Sequence, residues 1–93
     1  MVYRFMAKHP RSVEGYGESL ENLARAVGNM TYDRTAEFIG ELACDIERQA
    51  KGDEERGRLK LAARLYQVAE ELYRAEREMT LVWKKICEPY MED

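Results

Sequence analysis

The spacing of apolar residues along the chain predicts three helices. The first predicted helix covers residues 12–28, where apolar side chains recur at intervals of three and four positions. The second covers residues 33–51 and carries an apolar stripe at the same helical spacing. The third covers residues 53–87, or begins just after Gly57, and repeats apolar residues every seven positions. A glycine stands at or just after the end of the first two ranges, as is common at helix C-termini.

The seven-residue repeat in the third predicted helix forms two adjoining apolar rows. The rows are Leu65, Leu72, Met79 and Ile86, and Leu61, Val68, Ala75 and Val82. Together they make a stripe that is wider than an isolated two-stranded coiled coil needs and is typical of a bundle. The predicted fold is therefore all-α. We expect one domain over residues 1–93: an antiparallel bundle of three main helices with a short arm at residues 1–12 and a long C-terminal helix.

The predicted helix lengths leave part of the third helix uncovered. A short connection at Gly52 predicts antiparallel pairing of the second and third helices. At about 1.5 Å per residue, the shorter second helix reaches only to about Tyr73. The apolar residues beyond that point would be exposed, which is unusual for a soluble monomer, so we expect a homodimer. The predicted interface consists of Tyr66, Tyr73, Ala75, Met79, Val82, Trp83 and Ile86. The alternative is a monomer in which the first helix and the arm complete the bundle.

Small residues on the second predicted helix indicate another surface for close helix contact. Ala36, Gly40 and Cys44 recur every four positions and form a ridge beside the apolar stripe. Because these side chains are small, another backbone could approach closely there. The ridge is therefore predicted to be a helix-contact site.

Composition and charge exclude several classes of function. The chain has 45% hydrophobic and 35% charged residues, which is typical of a globular protein. Its net charge of −3 gives no general attraction to nucleic acid or to anionic membranes. No apolar run approaches the roughly 20 residues that a membrane span needs. One histidine and two cysteines are too few for a zinc finger or a disulfide scaffold. We expect no cofactor and a reducing, cytoplasmic environment.

An acidic row on the second predicted helix supports the main alternative, an enzyme. Glu37, Glu41 and Asp45 recur every four positions, and carboxylates on neighbouring turns can hold Mg²⁺ in helical bundles. Helical nucleotide pyrophosphohydrolases of the MazG type use such clusters, but their paired motif is not matched here. Arg34 and Arg48 lie at helical spacing from the same carboxylates, so a solvated surface row explains the pattern more simply. No catalytic residue and no metal site is predicted.

The basic arm supports a weaker alternative, a regulator that binds nucleic acid. Residues 1–13 carry three positive charges and no acid; since the whole chain is −3, the remaining 80 residues carry −6. Three cations neutralise too few phosphates for useful affinity on their own, so nucleic-acid binding is not expected. The sequence favours a small non-enzymatic interaction or assembly protein. We expect it to associate with itself and to bind a protein partner.

Overall fold

The structure, a computed structural model, describes residues 9–90: an irregular segment up to Ser19, followed by helices joined by short turns. The α-helices are α1, Leu20–Gly28; α2, Tyr32–Glu55; and α3, Leu59–Leu81. A π-helical turn, Val82–Cys87, continues α3, and a 3₁₀ turn, Glu88–Tyr90, follows it. The described residues contain no strand, so the prediction of an all-α fold with three helices is confirmed.

The first helix is shorter than the predicted range of 12–28. It begins at Leu20, where the Ser19 hydroxyl accepts a hydrogen bond from the N–H of Asn22 at 3.1 Å. A serine in this position satisfies one of the free N–H groups of the first helical turn. The residues before it are irregular and include Gly15, whose φ of 79° lies in the left-handed region. The helix therefore starts at its cap, after the glycines.

The turn between the second and third helices lies at Gly57 and not at Gly52. Helix α2 continues through Gly52 to Glu55, whereas Gly57 has a φ of 83°, which glycine adopts without strain. The predicted boundaries of 51 and 53 are therefore wrong, and the alternative start after Gly57 is confirmed. Helices α2 and α3 have 24 and 23 residues. Because their lengths nearly match, the prediction that a short second helix leaves half of the third uncovered is also wrong.

Helices α2 and α3 pack against each other as an antiparallel hairpin. Tyr66 Oη donates a hydrogen bond to Glu54 Oε1, and Tyr73 Oη donates one to Glu47 Oε1, each at 2.9 Å. Seven residues forward along α3 therefore correspond to seven residues backward along α2. This relation defines the antiparallel direction, and most of the packing in the described residues lies in this pair.

The contact between α2 and α3 is built on alanine. All the buried hydrophobic residues in the described chain are alanines at most 4% exposed, and within each helix they lie seven positions apart. We call them the alanine seam: Ala36, Ala43, Ala50, Ala62 and Ala69. Small side chains allow two helix axes to approach toward the lower end of the usual range of about 8–10 Å. Leu65 and Leu72, which belong to one of the two predicted apolar rows, are only half-buried beside the seam.

Helix α1 adds little to the packing. The Thr35 hydroxyl of α2 donates a hydrogen bond to the Val27 carbonyl at 2.9 Å, but no residue of α1 is buried. The radius of gyration is 16.5 Å, whereas a compact chain of this length has about 12 Å. The described chain is therefore elongated, with dimensions of 56 × 30 × 14 Å. Its core is the hairpin of α2 and α3.

Candidate interaction surface

The alanine seam divides the hairpin into two faces. Successive residues are about 100° apart around a helix, so Glu47 of α2 and Tyr66 and Tyr73 of α3 all lie to the same side of their own seam positions. Their hydrogen bonds place those sides on one surface, which we call the polar face. Eight of the larger apolar residues lie to the other side of each seam and therefore share the opposite surface. We call that surface the apolar face: Phe38, Ile39, Leu42, Ile46, Leu61, Leu65, Val68 and Leu72.

The apolar face is open to solvent. Phe38, Leu42, Leu61 and Val68 are 41–47% exposed, and the other four members are half-buried beside the seam. No large side chain in residues 9–90 is fully buried. Removing apolar surface from water is the main favourable term in protein folding and association. The apolar face is therefore the part of this structure best suited to contact another protein surface.

Five of the predicted interface residues lie at or beyond the end of the apolar face. Ala75 is exposed and Met79 half-buried, and both lie on the same side of α3 as the apolar face. Val82, Trp83 and Ile86 belong to the π-helical turn; the first two are half-buried and Ile86 is 61% exposed. In the structure, the exposed apolar surface continues toward the hairpin turn. The sequence predicts that this part of the third helix is covered by the second helix.

Tyr66 and Tyr73 are separated from the rest of the predicted interface. They lie on the polar face, where each donates its hydroxyl proton to a glutamate of α2. The hydrogen bond to Glu47 is the main reason that the pKa of Tyr73 is raised to about 12, since the carboxylate favours the protonated phenol. The hydrogen bond to Glu54 likewise raises the pKa of Tyr66.

Glu47→Gln is expected to lower the pKa of Tyr73 toward the ordinary value of about 10, because the amide carries no charge. The raised pKa means that the protonated phenol's contribution to stability is present below about pH 10 and is lost as the pH rises through about 12. The pKa can be followed by an NMR titration of the Tyr73 ring. Glu54→Gln is the matched control and should shift Tyr66 while leaving Tyr73 unchanged. An unaltered Tyr73 in Glu47→Gln would contradict this assignment.

The predicted ridge of small residues is only partly a helix contact. Ala36 belongs to the alanine seam, and Gly40 lies so close to the Glu76 carboxylate that a Cβ would overlap with it. Cys44 is exposed, whereas Ala43 is fully buried, so Cys44 lies at the edge of the contact, where its side chain contributes to the raised pKa of Tyr73 on α3. The predicted ridge follows a four-residue repeat along the helix. Nearly antiparallel helices meet instead along a seven-residue repeat, which selects the alanines.

The acidic row of α2 forms surface pairs. Its residues Glu37, Glu41 and Asp45 are all exposed. Hydrogen bonds from Gln49 and then from Arg48, each at 2.9 Å, lower the pKa of Asp45, and Glu37 pairs with Arg34 at 3.3 Å. Within residues 9–90, no three His, Cys, Asp or Glu side chains come together in a way that could hold a metal ion. The described structure therefore does not assemble the alternative magnesium site.

Most of the predicted arm lies outside the described residues. Arg4 and Lys8 are among residues 1–8, so the structure says nothing about the nucleic-acid alternative that depends on them. Residues 9–19 are described and form no helix. The arm's predicted role therefore stays a prediction.

Comparison with known protein families, curated proteins and solved structures finds no match for this chain. None of the helices within residues 9–90 is long and apolar enough to cross a membrane. The geometry of the hairpin is therefore the basis for a functional proposal.

Proposed function

We propose that this protein is a non-enzymatic helical assembly protein that forms a homodimer through its apolar face. One observation carries the proposal: the hairpin gathers eight large apolar side chains on one surface and fully buries none of them. A helical layer needs a second layer to bury such a surface. A second copy of the hairpin would supply it and complete a four-helix bundle.

The size of the apolar face suits a stable dimer. Helices of 24 and 23 residues are each about 35 Å long, at about 1.5 Å per residue. Two adjacent helices are together about 20 Å wide, which gives a surface of about 700 Å². Each partner in a stable protein interface contributes about 800 Å². A second copy could therefore bury an area of the required size.

The composition of the apolar face favours pairing with itself. Its eight members are all apolar, so two such faces can meet without burying an unpaired charge. A two-fold axis would place the same residues on both sides of the contact, and two-fold dimers are the commonest oligomers.

The polar face would remain outside this dimer. It presents Tyr66 and Tyr73, and tyrosine is enriched at protein interfaces. We include in the proposal that this face is the one offered to a protein partner. The free thiols of Cys44 and Cys87 support a cytoplasmic setting, because such thiols are typical of reducing compartments.

Light scattering across a dilution series tests the proposed dimer. The expected mass at high concentration is twice the chain mass of 10.9 kDa, falling toward 10.9 kDa on dilution by mass action. A mass of 10.9 kDa at the highest concentration reached would contradict self-association.

A further inference from the structure

A cavity of about 360 Å³ lies beside the hairpin turn, at the C-terminal end of α2. Its volume falls in the range of small-ligand sites, about 300–1,000 Å³. The groups that line it and could contact a ligand are the side chains of His9, Arg48, Gln49, Asp53, Arg56 and Arg58. Three guanidinium groups around one cavity are an unusual concentration of positive charge in a chain whose net charge is −3.

Carboxylates hold the three guanidinium groups in place. The Asp53 side chain is only 12% exposed; its Oδ1 accepts a hydrogen bond from Arg58 Nη1 at 3.0 Å and lies 3.6 Å from Arg56 Nη1. Arg48 is fixed separately, since its Nε and Nη2 donate to Asp45 Oδ1 at 3.0 and 2.9 Å. A guanidinium has five N–H donors, so these contacts use a minority of them. The three arginine side chains are 49–71% exposed and can reach a ligand.

The chemistry of the cavity points to a phosphate group. Planar guanidinium groups bind carboxylate and phosphate oxygens with paired hydrogen bonds. One carboxylate has only two oxygens to share among three arginines, whereas a phosphate presents three or more. Asp53 is the one acidic residue among the described residues that line the cavity, and the two nearest arginines already pair with it. We propose that this cavity binds the phosphate group of a small anionic ligand through Arg48, Arg56 and Arg58.

The proposed phosphate site adjoins the end of the apolar face that lies nearest the hairpin turn. Gln49 and Asp53 follow Leu42 and Ile46 by seven positions, so they continue the apolar rows of α2. The three arginines are not members of the apolar face. Variants that remove the arginines and variants that alter the apolar face therefore test the two proposals separately.

Isothermal titration with inorganic phosphate and with pyrophosphate, at ionic strength held constant with chloride, tests the site. Saturable binding is expected, and it should be tighter for pyrophosphate because that anion carries more charge. Replacing Arg48 and Arg56 together by glutamine should weaken binding by about a hundredfold or more, since each lost charge-assisted hydrogen bond weakens binding by about tenfold or more. Both side chains are mostly exposed, and the Arg58–Asp53 pair that closes the turn is kept.

Arg74→Gln is the matched control for this experiment. Arg74 is 63% exposed and pairs with Glu71 at 3.7 Å on α3, so it resembles the substituted arginines without lining the cavity. The control should bind pyrophosphate like the wild-type protein. The proposal is overturned if neither anion binds saturably, or if the control loses as much affinity as the double variant.

Discussion

Replacing Leu61 and Val68 together by glutamate is expected to convert the proposed dimer into a folded monomer. Both side chains are nearly half exposed within a single chain, at 47% and 45%, so the new carboxylates stay solvated in the monomer. In the dimer they would be buried without partners, at a cost of several kcal/mol. At about 1.4 kcal/mol for each tenfold change, the dissociation constant should rise by about a thousandfold or more. Light scattering measures the mass, and circular dichroism checks that the helices persist.

Ala63→Glu is the matched control for the charge itself. Ala63 is exposed and lies about 140–160° around α3 from Leu61 and Val68. The substitution introduces the same glutamate side chain away from the apolar face, so it should leave the dimer intact. If the double variant keeps the mass of a dimer, the apolar face is not the interface. If the control dissociates as well, added negative charge rather than burial at this face explains the effect.

The number of helices and their pairing could be predicted because they depend on local patterns. Apolar residues at helical spacing identified all three α-helices, and the short connection between the second and third indicated that these two are antiparallel. The start of the first helix was harder, since Ser12 and Ser19 are both suitable caps. Gly15 and Gly17 follow Ser12 closely, and each costs a helix about 1 kcal/mol relative to alanine. This cost favours the later cap, which the structure uses.

The centre of the helix contact could not be identified from hydrophobicity. Leucine rows are more hydrophobic than alanine rows, so the sequence favoured Leu65 and Leu72 as the contact. Which residues lie between two helices also depends on how closely the backbones approach, and that favours small side chains. A usable signal was present, because Ala36, Ala43 and Ala50 repeat every seven residues. The sequence also predicts an exposed apolar surface. In the structure this surface is exposed because α2 and α3 pack against each other through their alanines, and not because one helix is shorter than the other.

The arginine cavity was missed because it depends on where the hairpin turn lies. His9 comes from the segment before α1, Arg48 from α2, and Arg56 and Arg58 from the turn. Their meeting depends on the turn at Gly57, whereas the sequence reasoning placed the turn at Gly52. With the turn in the wrong position, the three arginines would not face one cavity.

Ala43→Leu is expected to destabilise the hairpin by about 1–3 kcal/mol. Ala43 is 0% exposed in the middle of the alanine seam, and the larger side chain would push α2 and α3 apart at that point. One kcal/mol corresponds to about 4–8 °C in a domain of this size, so the unfolding temperature should fall by about 5–20 °C. Thermal unfolding is followed by circular dichroism at one fixed protein concentration, since the melting temperature of a dimer depends on concentration.

Ala63→Leu is the matched control for this substitution. It makes the same change of residue on the same hairpin, but at an exposed position with room for the larger side chain. Its unfolding temperature should stay within a few degrees of the wild-type value, because surface substitutions usually change stability by less than about 0.5 kcal/mol. If Ala43→Leu is as stable as this control, the two helices are not held together along the alanine seam. The apolar face would then lose its basis as well, because the position of the seam decides which residues that face exposes.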